Sequence, residues 1–283
     1  MRNQGLQSER FELKYHVSER ASAKIRNCLR SRLSPDPHAG GPKARGYSVY
    51  SIYFDSRDFE LRQRTLNGDR NRYKLRMRYY DLEPTSPVFL EIKRRQGHAI
   101  LKERCAISRE AADHFLGGGT LAPDDLLDPS PGEISALQTF ERQARLLNAR
   151  PITKVCYGRE AWENEEDHDV RVTFDRDVLT APCTDKRVSS PPDDPLNVFG
   201  RDVILELKFT GRYPLWMAEL VRHCNLLAGS AAKYVDGLML LEECGRIRPG
   251  TSTLPHSSQT RNVRGNAGGN AGRNVMAFAG GSR

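Results

Sequence analysis

The amino-acid sequence predicts an α+β fold, a closed eight-stranded antiparallel β-barrel with flanking helices. Eight runs alternate apolar and polar residues with a period of two, which is typical of strands that bury one face. Few of the links between these runs are long crossovers of the kind that parallel pairs require, so antiparallel pairing is expected. Eight is also a strand number at which a sheet can close on itself.

The predicted strands are Glu9–His16, Tyr47–Asp55, Arg72–Tyr80, Val88–Arg95, Ala99–Ile107, Ile152–Trp162, Val170–Asp177 and Val203–Phe209. The predicted helices are Ser18–Leu33 with Ser18 as its cap, Glu133–Leu147, a segment whose first helical residue is Pro214 and which carries Leu227, and Ala231–Glu243. Segments rich in proline and glycine, Ser34–Gly46 and Ala181–Gly200, indicate loops.

The composition is that of a folded protein without a membrane span. The chain has 283 residues, of which 38% are hydrophobic, and no run approaches the roughly 20 apolar residues that a membrane helix needs. The N-terminal residues lack the apolar core of a signal peptide, so a cytoplasmic location is expected. The six cysteines are scattered without C-x-x-C spacing, which favours reduced thiols.

Much of the positive charge lies at the C-terminal end. Residues 246–283 contain six arginines and no acid, so residues 1–245 carry a net charge of only +2 out of the total of +8. Because the end segment is rich in Gly, Asn and Ser, it is predicted to be a disordered tail that follows a domain of residues 1–245. The basic composition is therefore weak support for a nucleic-acid partner.

The predicted strands concentrate positive charge on one face. The bases that share this face are Arg10, Lys14, Arg72, Lys74, Arg76, Arg78, Lys93, Lys102, Arg104, Arg159, Arg171 and Lys208, and its acids are Glu12, Glu91, Asp175 and Glu206. A solvated outer face is the simplest explanation for any one strand. Repetition over most strands favours a site for a polyanion, because neighbouring cations repel each other unless an anion lies between them.

A chain of phosphates suits this face better than nucleic acid does. Nucleic acid normally requires aromatic rings among the cations, whereas Tyr73 and Tyr79 fall on the opposite face. No phosphate-binding P-loop motif is present, so side chains would have to hold the phosphates.

The acids of this face have two interpretations. Each of them can pair with neighbouring cations. Alternatively, one or two of them hold Mg²⁺ or Mn²⁺, which use few carboxylates when phosphate oxygens complete the coordination. Glu206 is the first candidate for the metal, and Glu12, Glu91 and Asp175 are further candidates for binding metal or orienting water.

Five segments in order resemble the VTC domain, the polyphosphate-polymerase domain of the vacuolar transporter chaperone family and a triphosphate tunnel metalloenzyme. They are Arg10–Tyr15, Ser51–Asp55, Tyr73–Tyr80, Leu90–Lys93 and Ile204–Lys208. The resemblance covers about residues 10–237 and points to the stand-alone bacterial members. It implies a closed eight-stranded tunnel in which a divalent metal assists transfer of the terminal phosphate of ATP to polyphosphate.

The resemblance also implies roles for individual residues. By position, those that hold phosphate are Lys14, Arg76, Arg78, Lys93, Lys102, Arg159, Lys208 and Lys233, and Glu206 holds the metal. Of these, Arg76, Arg78, Arg159 and Lys93 are expected to be catalytic, while the charge pattern adds Arg10, Lys74, Arg104 and Arg171 as phosphate-binding residues. Ala232 stands where the family has a serine, which removes one hydroxyl contact.

The function expected from the sequence is that of a metal-dependent polyphosphate polymerase, with ATP or another nucleoside triphosphate and polyphosphate as its ligands. Two alternatives remain open. One is an inorganic tri- or polyphosphatase of the same fold, and the other is a non-catalytic module that binds polyphosphate or an inositol phosphate. If the product is translocated, a separate membrane protein is expected as a partner.

Overall fold

Ten antiparallel strands form one sheet in the computed structural model, which describes residues 10–39, 46–97, 99–164 and 169–250. The strands are β1 (Arg10–Val17), β2 (Ser34–Pro35), β3 (Tyr47–Asp55), β4 (Asn71–Tyr79), β5 (Val88–Gln96), β6 (Ala99–Ile107), β7 (Arg150–Glu163), β8 (Val170–Pro182), β9 (Leu196–Asn197) and β10 (Val203–Thr210). The α-helices are α1 (Glu19–Leu29), α2 (Glu60–Leu66), α3 (Arg109–Leu116), α4 (Pro131–Leu146), α5 (Leu215–His223) and α6 (Lys233–Glu243).

The sheet is open, so the predicted closed barrel is wrong. Its hydrogen-bonded order is β1-β10-β8-β7-β3-β4-β5-β6, with β2 added to β7 and β9 added to β8. Within the described residues, the end strands β1 and β6 do not pair with each other. Short segments occupy both edges instead: the Gly229 amide donates to the Lys14 carbonyl, and Leu126 bridges to Ile107. Eight strands permit closure but do not require it.

Side chains nevertheless bring the two ends of the sheet near each other. Glu12 of β1 accepts a hydrogen bond of 2.9 Å from Lys93 of β5, although five strands separate β1 from β5 in the hydrogen-bonded order. The sheet must therefore curve, and the polar sides of distant strands face a common space. This curvature is what gathers the charged residues into one site.

Three apolar clusters cover the other side of the strands. Helices α1 and α5 pack on β1, β8 and β10, where Leu205 and Leu207 are fully buried. Helices α2, α3 and α4 pack on β4, β5 and β6, and α6 packs with residues of β7. Because strand side chains alternate between the two faces, burying the apolar set under helices directs the charged set into the concave side.

The element predictions are confirmed with shifted ends. Ser18 caps α1 through a hydrogen bond from the Ala21 amide, but the helix ends at Leu29 rather than Leu33. Pro214 is the cap of α5 rather than its first residue, and Leu227 lies beyond that helix. Helices α2 and α3 and the short strands β2 and β9 were not predicted, because each is too short to show a clear period.

Packed residues extend slightly past residue 245, the predicted end of the domain, and that boundary stays a prediction. Ile247 is 5% exposed and belongs to the cluster beneath α6, so packing continues past residue 245. Residues 251–283, most of the predicted disordered tail, lie outside the described residues. No helix in the described ranges combines the length and the apolar character that crossing a membrane requires.

A buried carboxylate joins two helices to the sheet. Asp55, at the end of β3, accepts hydrogen bonds from the Leu61 and Arg62 amides of α2 and from the Tyr234 hydroxyl of α6, the last at 2.6 Å. The amide contacts satisfy donors at the start of α2 that have no partner within the helix. The hydroxyl contact fixes the first turn of α6, and therefore the neighbouring Lys233.

The bond from Tyr234 to Asp55 is expected to contribute measurably to stability. Tyr234→Phe should lower the free energy of unfolding by about 1.5–3 kcal/mol, the range for a hydrogen bond to a charged group. Urea denaturation followed by circular dichroism measures this change. Tyr50→Phe is the matched control, because Tyr50 stacks on Tyr79 and its hydroxyl has no hydrogen bond to a described residue. Equal losses in the two variants would contradict the assignment.

Candidate functional site

The strand register arranges the basic residues in rows across the concave side, which we call the cation-lined face. Lys74 of β4 lies opposite Lys93 of β5, which lies opposite Lys102 of β6. The basic residues gathered there are Lys14, Lys74, Arg76, Arg78, Lys93, Lys102, Arg104, Arg159 and Lys208, joined by Lys233 from α6. The acids are Glu12, Glu91, Asp175 and Glu206. The excess of six positive charges lies where cross-strand neighbours are only about 5 Å apart.

Asp175 and Glu206 form the centre of one half of this face. Arg159 donates two hydrogen bonds of 2.7 Å to Asp175 and lies 3.4 Å from Glu206. Lys233 bridges the same two carboxylates, at 2.6 Å from Asp175 and 3.0 Å from Glu206. Lys208 contacts the other oxygen of Glu206 at 2.6 Å. All of these side chains are nearly buried, so the pairs are held tightly in a low-dielectric region.

Glu12 connects this centre to the far end of the sheet. Its oxygens lie 3.2 Å from Lys14 on the same strand and 2.9 Å from Lys93 on β5. Lys14 also lies 3.7 Å from Glu206 and donates to the Ala231 carbonyl at 3.0 Å. The segment before α6 is thus tied to the site by its backbone. Ala232 itself offers no hydroxyl, and its amide donates to Asp236.

Glu91 is the centre of the other half and is fully buried. Arg76 lies 2.6 Å from one carboxylate oxygen and Lys102 lies 2.6 Å from the other. Arg78 and Arg104 approach the same carboxylate at 3.9 Å. One negative charge therefore neutralises four cations only in part, and this half keeps a net positive charge.

The pKa values follow from burial and from these pairs. Burial by itself raises the pKa of Glu206, but Lys208, Lys233, Lys14 and Arg159 outweigh it and hold that pKa well below its ordinary value. Glu91 shows the same balance, with Arg76 as its strongest lowering partner. These carboxylates are therefore ionised at neutral pH.

Lys74 is the exception among the lysines of this face, because it has no ion pair with a described acid. Burial lowers the pKa of Lys74 to about 8; the Tyr53 phenolate opposes this shift, and Lys14, Lys93 and Arg76 add to it. Tyr53 lies beside it on β3, and although burial raises the pKa of Tyr53, the surrounding cations Arg76, Arg78 and Lys74 lower it to about 8. A bound anion would supply the negatively charged partner that Lys74 lacks among the described residues.

A cavity of about 410 Å³ opens beside Lys74. The charged residues that line it are Glu12, Lys14, Arg72, Lys74, Lys93, Arg94 and Arg95. The segment of residues 228–232 before α6 forms part of the wall. Six cations and one acid around one open volume make an anion the chemically favoured occupant.

Most of the predicted site residues come together, and a few do not. Arg10 is exposed at the start of β1. Arg171 lies on the same side of the sheet but pairs with Asp36 and Glu163 at the margin. All four predicted acids are ion-paired, which agrees with the interpretation that they pair with neighbouring cations.

Several neutral residues of the site were not predicted. The Tyr157 ring lies under Arg159 and Lys233, and its hydroxyl accepts from Arg78 at 3.4 Å. The Tyr53 hydroxyl accepts from Arg76, and that of Ser51 accepts from Arg78. Alternation along β3 places Ser51 and Tyr53 on one face, which was the signal available in the sequence.

Comparison with known proteins identifies the family. The model of the VTC domain matches residues 9–242, so the chain belongs to the VTC domain family. It is 23% identical over 226 residues to vacuolar transporter chaperone complex subunit 2 of Schizosaccharomyces pombe; the match covers 68% of this chain. The chain spans 31% of the length of that relative.

Two solved structures show weaker likeness. The PH1819 protein from Pyrococcus horikoshii OT3 has a TM-score of 0.41 at 13% identity, over 83% of this chain and 98% of that one. A chain of the Schizosaccharomyces pombe Mediator head module has a TM-score of 0.36 at 10% identity, over 76% of this chain and 90% of that one.

Anion affinity is expected to fall as pH rises through about 8, because Lys74, Lys102 and Lys208 lose their positive charges while Tyr53 becomes negative. The affinity for inorganic tripolyphosphate is measured by calorimetry without metal between pH 7 and pH 9. It should fall by up to about tenfold per pH unit for each proton linked to binding.

Lys74→Arg is the matched control for this pH dependence, since arginine keeps its charge over the whole range. Titration of the ligand itself is common to both proteins, so the difference between the two profiles reports Lys74. Identical profiles would show that Lys74 does not contact the anion.

Proposed function

We propose that this protein is a metal-dependent polyphosphate polymerase that transfers the terminal phosphate of ATP to a growing polyphosphate chain. The observation that carries the proposal is the cavity at Lys74, which has no ion pair with a described acid and is surrounded by cations from the three strands β1, β4 and β5. Membership of the VTC domain family supports the same conclusion. An open sheet can perform this role, because its curvature already brings Glu12 and Lys93 from distant strands together.

The cations would lower the electrostatic cost of bringing two polyanions together. At 4 Å, two unit charges repel by about 4 kcal/mol at an effective dielectric constant of 20, and donor and acceptor each carry several charges. Arg76, Arg78 and Arg159 present planar guanidinium groups suited to phosphate oxygens. Lys14, Lys93 and Lys102 would bind the remainder of the chain. Phosphates would compete with Glu91 and Asp175 for these groups.

The transfer itself needs no general base. An oxygen of the terminal phosphate of the acceptor is already ionised; it forms a bond to the γ-phosphorus while the bond to the β-phosphate oxygen breaks, and ADP leaves. Positioning and charge neutralisation are therefore the contributions expected of the protein.

Glu206 is the residue that we expect to hold Mg²⁺ or Mn²⁺. No group of three or more potential ligands occurs among the described His, Cys, Asp and Glu side chains, so these residues alone do not form a complete metal site. A hard cation that arrives with phosphate requires only one or two carboxylates, and the oxygen chemistry of Glu206 fits this need. When bound, the metal would neutralise charge on the transferring phosphate.

Glu206→Gln is expected to abolish turnover without loss of anion binding. With ATP and Mn²⁺, a gel stained for polyphosphate should show a ladder for the unmodified protein and none for the variant or the metal-free sample. Tripolyphosphate binding without metal should be retained or strengthened, because the substitution removes a negative charge from the site. Glu110→Gln, which makes the same charge change at an exposed position of α3, is the matched control.

The outcomes separate the proposal from its alternatives. Release of orthophosphate without a ladder would identify a phosphatase. Tripolyphosphate binding without any metal-dependent turnover would identify a binding module. A ladder that survives Glu206→Gln would show that the metal lies elsewhere.

Arg76→Ala should reduce the rate of synthesis by about 10²- to 10³-fold, the effect of losing one preorganised donor. Since Arg76 also neutralises the buried Glu91, thermal unfolding must show that the variant is folded at the assay temperature. Arg145→Ala, at an exposed position of α4, is the control. A decrease below about fivefold would place Arg76 outside the reaction centre.

A further inference from the structure

A groove separates α1 and α5 on the outer side of the sheet, away from the cation-lined face. The two helices share an apolar cluster in which Ile25 and Leu29 of α1 pack with Met217 and Leu220 of α5. Above this cluster lie two adjacent cavities of about 670 and 350 Å³, and both are lined by Cys28 and His223. The helices therefore present one continuous outer surface, which we call the α1/α5 face.

The groove is strongly basic, and its cations have no acidic partners in the part of the chain that the structure describes. Arg20 and Lys24, four residues apart on α1, line one cavity, and Arg32, after the end of α1, lines the other. Arg222 joins them from α5, and Glu219 is the acid that lines the groove. Among the described residues, none of these four cations forms a side-chain ion pair or hydrogen bond. Arg32 instead lies over the Trp216 ring at 5.7 Å.

Two large apolar side chains project beside these cations. Leu215, the first residue of α5, is 79% exposed, and Leu227, shortly after its end, is 86% exposed. Leu215 adjoins Trp216 in one cavity wall, and Leu227 lies two residues after Asn225 in the other. The leucines thus flank the basic groove at both ends of α5.

We propose that the α1/α5 face docks on an anionic lipid bilayer. Leu215 and Leu227 would enter the boundary between headgroups and acyl chains, and the cations would contact lipid phosphates, the combination that holds interfacial proteins on membranes. A soluble polyanion would satisfy the cations but leave both leucines in water. An apolar partner would bury the leucines but leave the cations without counter-charges. The proposal does not depend on the proposed enzymatic function.

Docking in this way leaves the proposed reaction site accessible. Helices α1 and α5 cover the apolar side of β1, β8 and β10, whereas Glu12, Asp175 and Glu206 of the same strands lie on the other side. The sheet therefore separates the membrane from the cation-lined face.

Sedimentation with lipid vesicles tests the proposal on the full chain. The protein should sediment with vesicles of phosphatidylcholine and phosphatidylglycerol but not with vesicles of phosphatidylcholine alone. The double charge reversal Arg20→Glu with Lys24→Glu should weaken binding by more than about tenfold, since each basic residue near the surface contributes substantially. Leu215→Ser with Leu227→Ser should weaken it as well, at unchanged net charge.

Matched controls come from the other helical layer. Arg145→Glu with Lys186→Glu makes the same change in net charge at exposed positions, and Leu146→Ser replaces a leucine that is 75% exposed. Every sample keeps the six arginines of residues 246–283, so their attraction to anionic lipid is common to all of them. Circular dichroism establishes that each variant is folded.

Three results would overturn the proposal. The first is absence of binding to the anionic vesicles. The second is an equal loss of binding in the α1/α5 variants and in the controls, which would show unspecific attraction by net charge. The third is loss of binding on charge reversal but not on leucine replacement. That result would show that the groove adsorbs to anionic headgroups by charge alone, without insertion of Leu215 and Leu227 into the bilayer.

Discussion

Unequal charge on one side of a curved sheet is the constraint on which the site depends. Ten cations face four carboxylates, of which three are buried, and the strand register places the like charges of Lys74, Lys93 and Lys102 next to one another. The carboxylates reduce this repulsion without cancelling it. Helices bury the apolar side of the strands, and this burial offsets the repulsion between the cations on the other side. Removing one buried carboxylate would leave its cations without a counter-charge. This destabilises the folded state more than replacing the whole ion pair by apolar residues would.

The same arrangement explains how the site can accept a ligand without a large change in fold. Phosphate oxygens can take the place of carboxylate oxygens beside Arg76 or Lys102, because both are hard, negatively charged acceptors. The carboxylates then serve as internal substitutes for the ligand and keep the cations in position. Lys74, which lacks such a substitute, is the point at which an added anion gains most.

Order at the site depends on contacts between elements that are distant in the chain. Tyr234 and Asp55 fix the first turn of α6, and this places Lys233 between Asp175 and Glu206. The segment before α6 also occupies the free edge of β1. One short stretch of chain thus contacts the edge of β1 and completes the ion-pair network.

The strands, and the side on which each charged residue lies, could be predicted from the amino-acid sequence, because alternation with a period of two is a local property of the chain. It therefore predicted Glu206, Arg159 and Arg76 on one face. Tertiary structure decided the open sheet, because closure depends on what reaches the edges of β1 and β6. It also decided which cations lack an ion pair with any described acid, Lys74 at the site and Lys24 on the α1/α5 face, because pairing depends on distances between residues far apart in the chain.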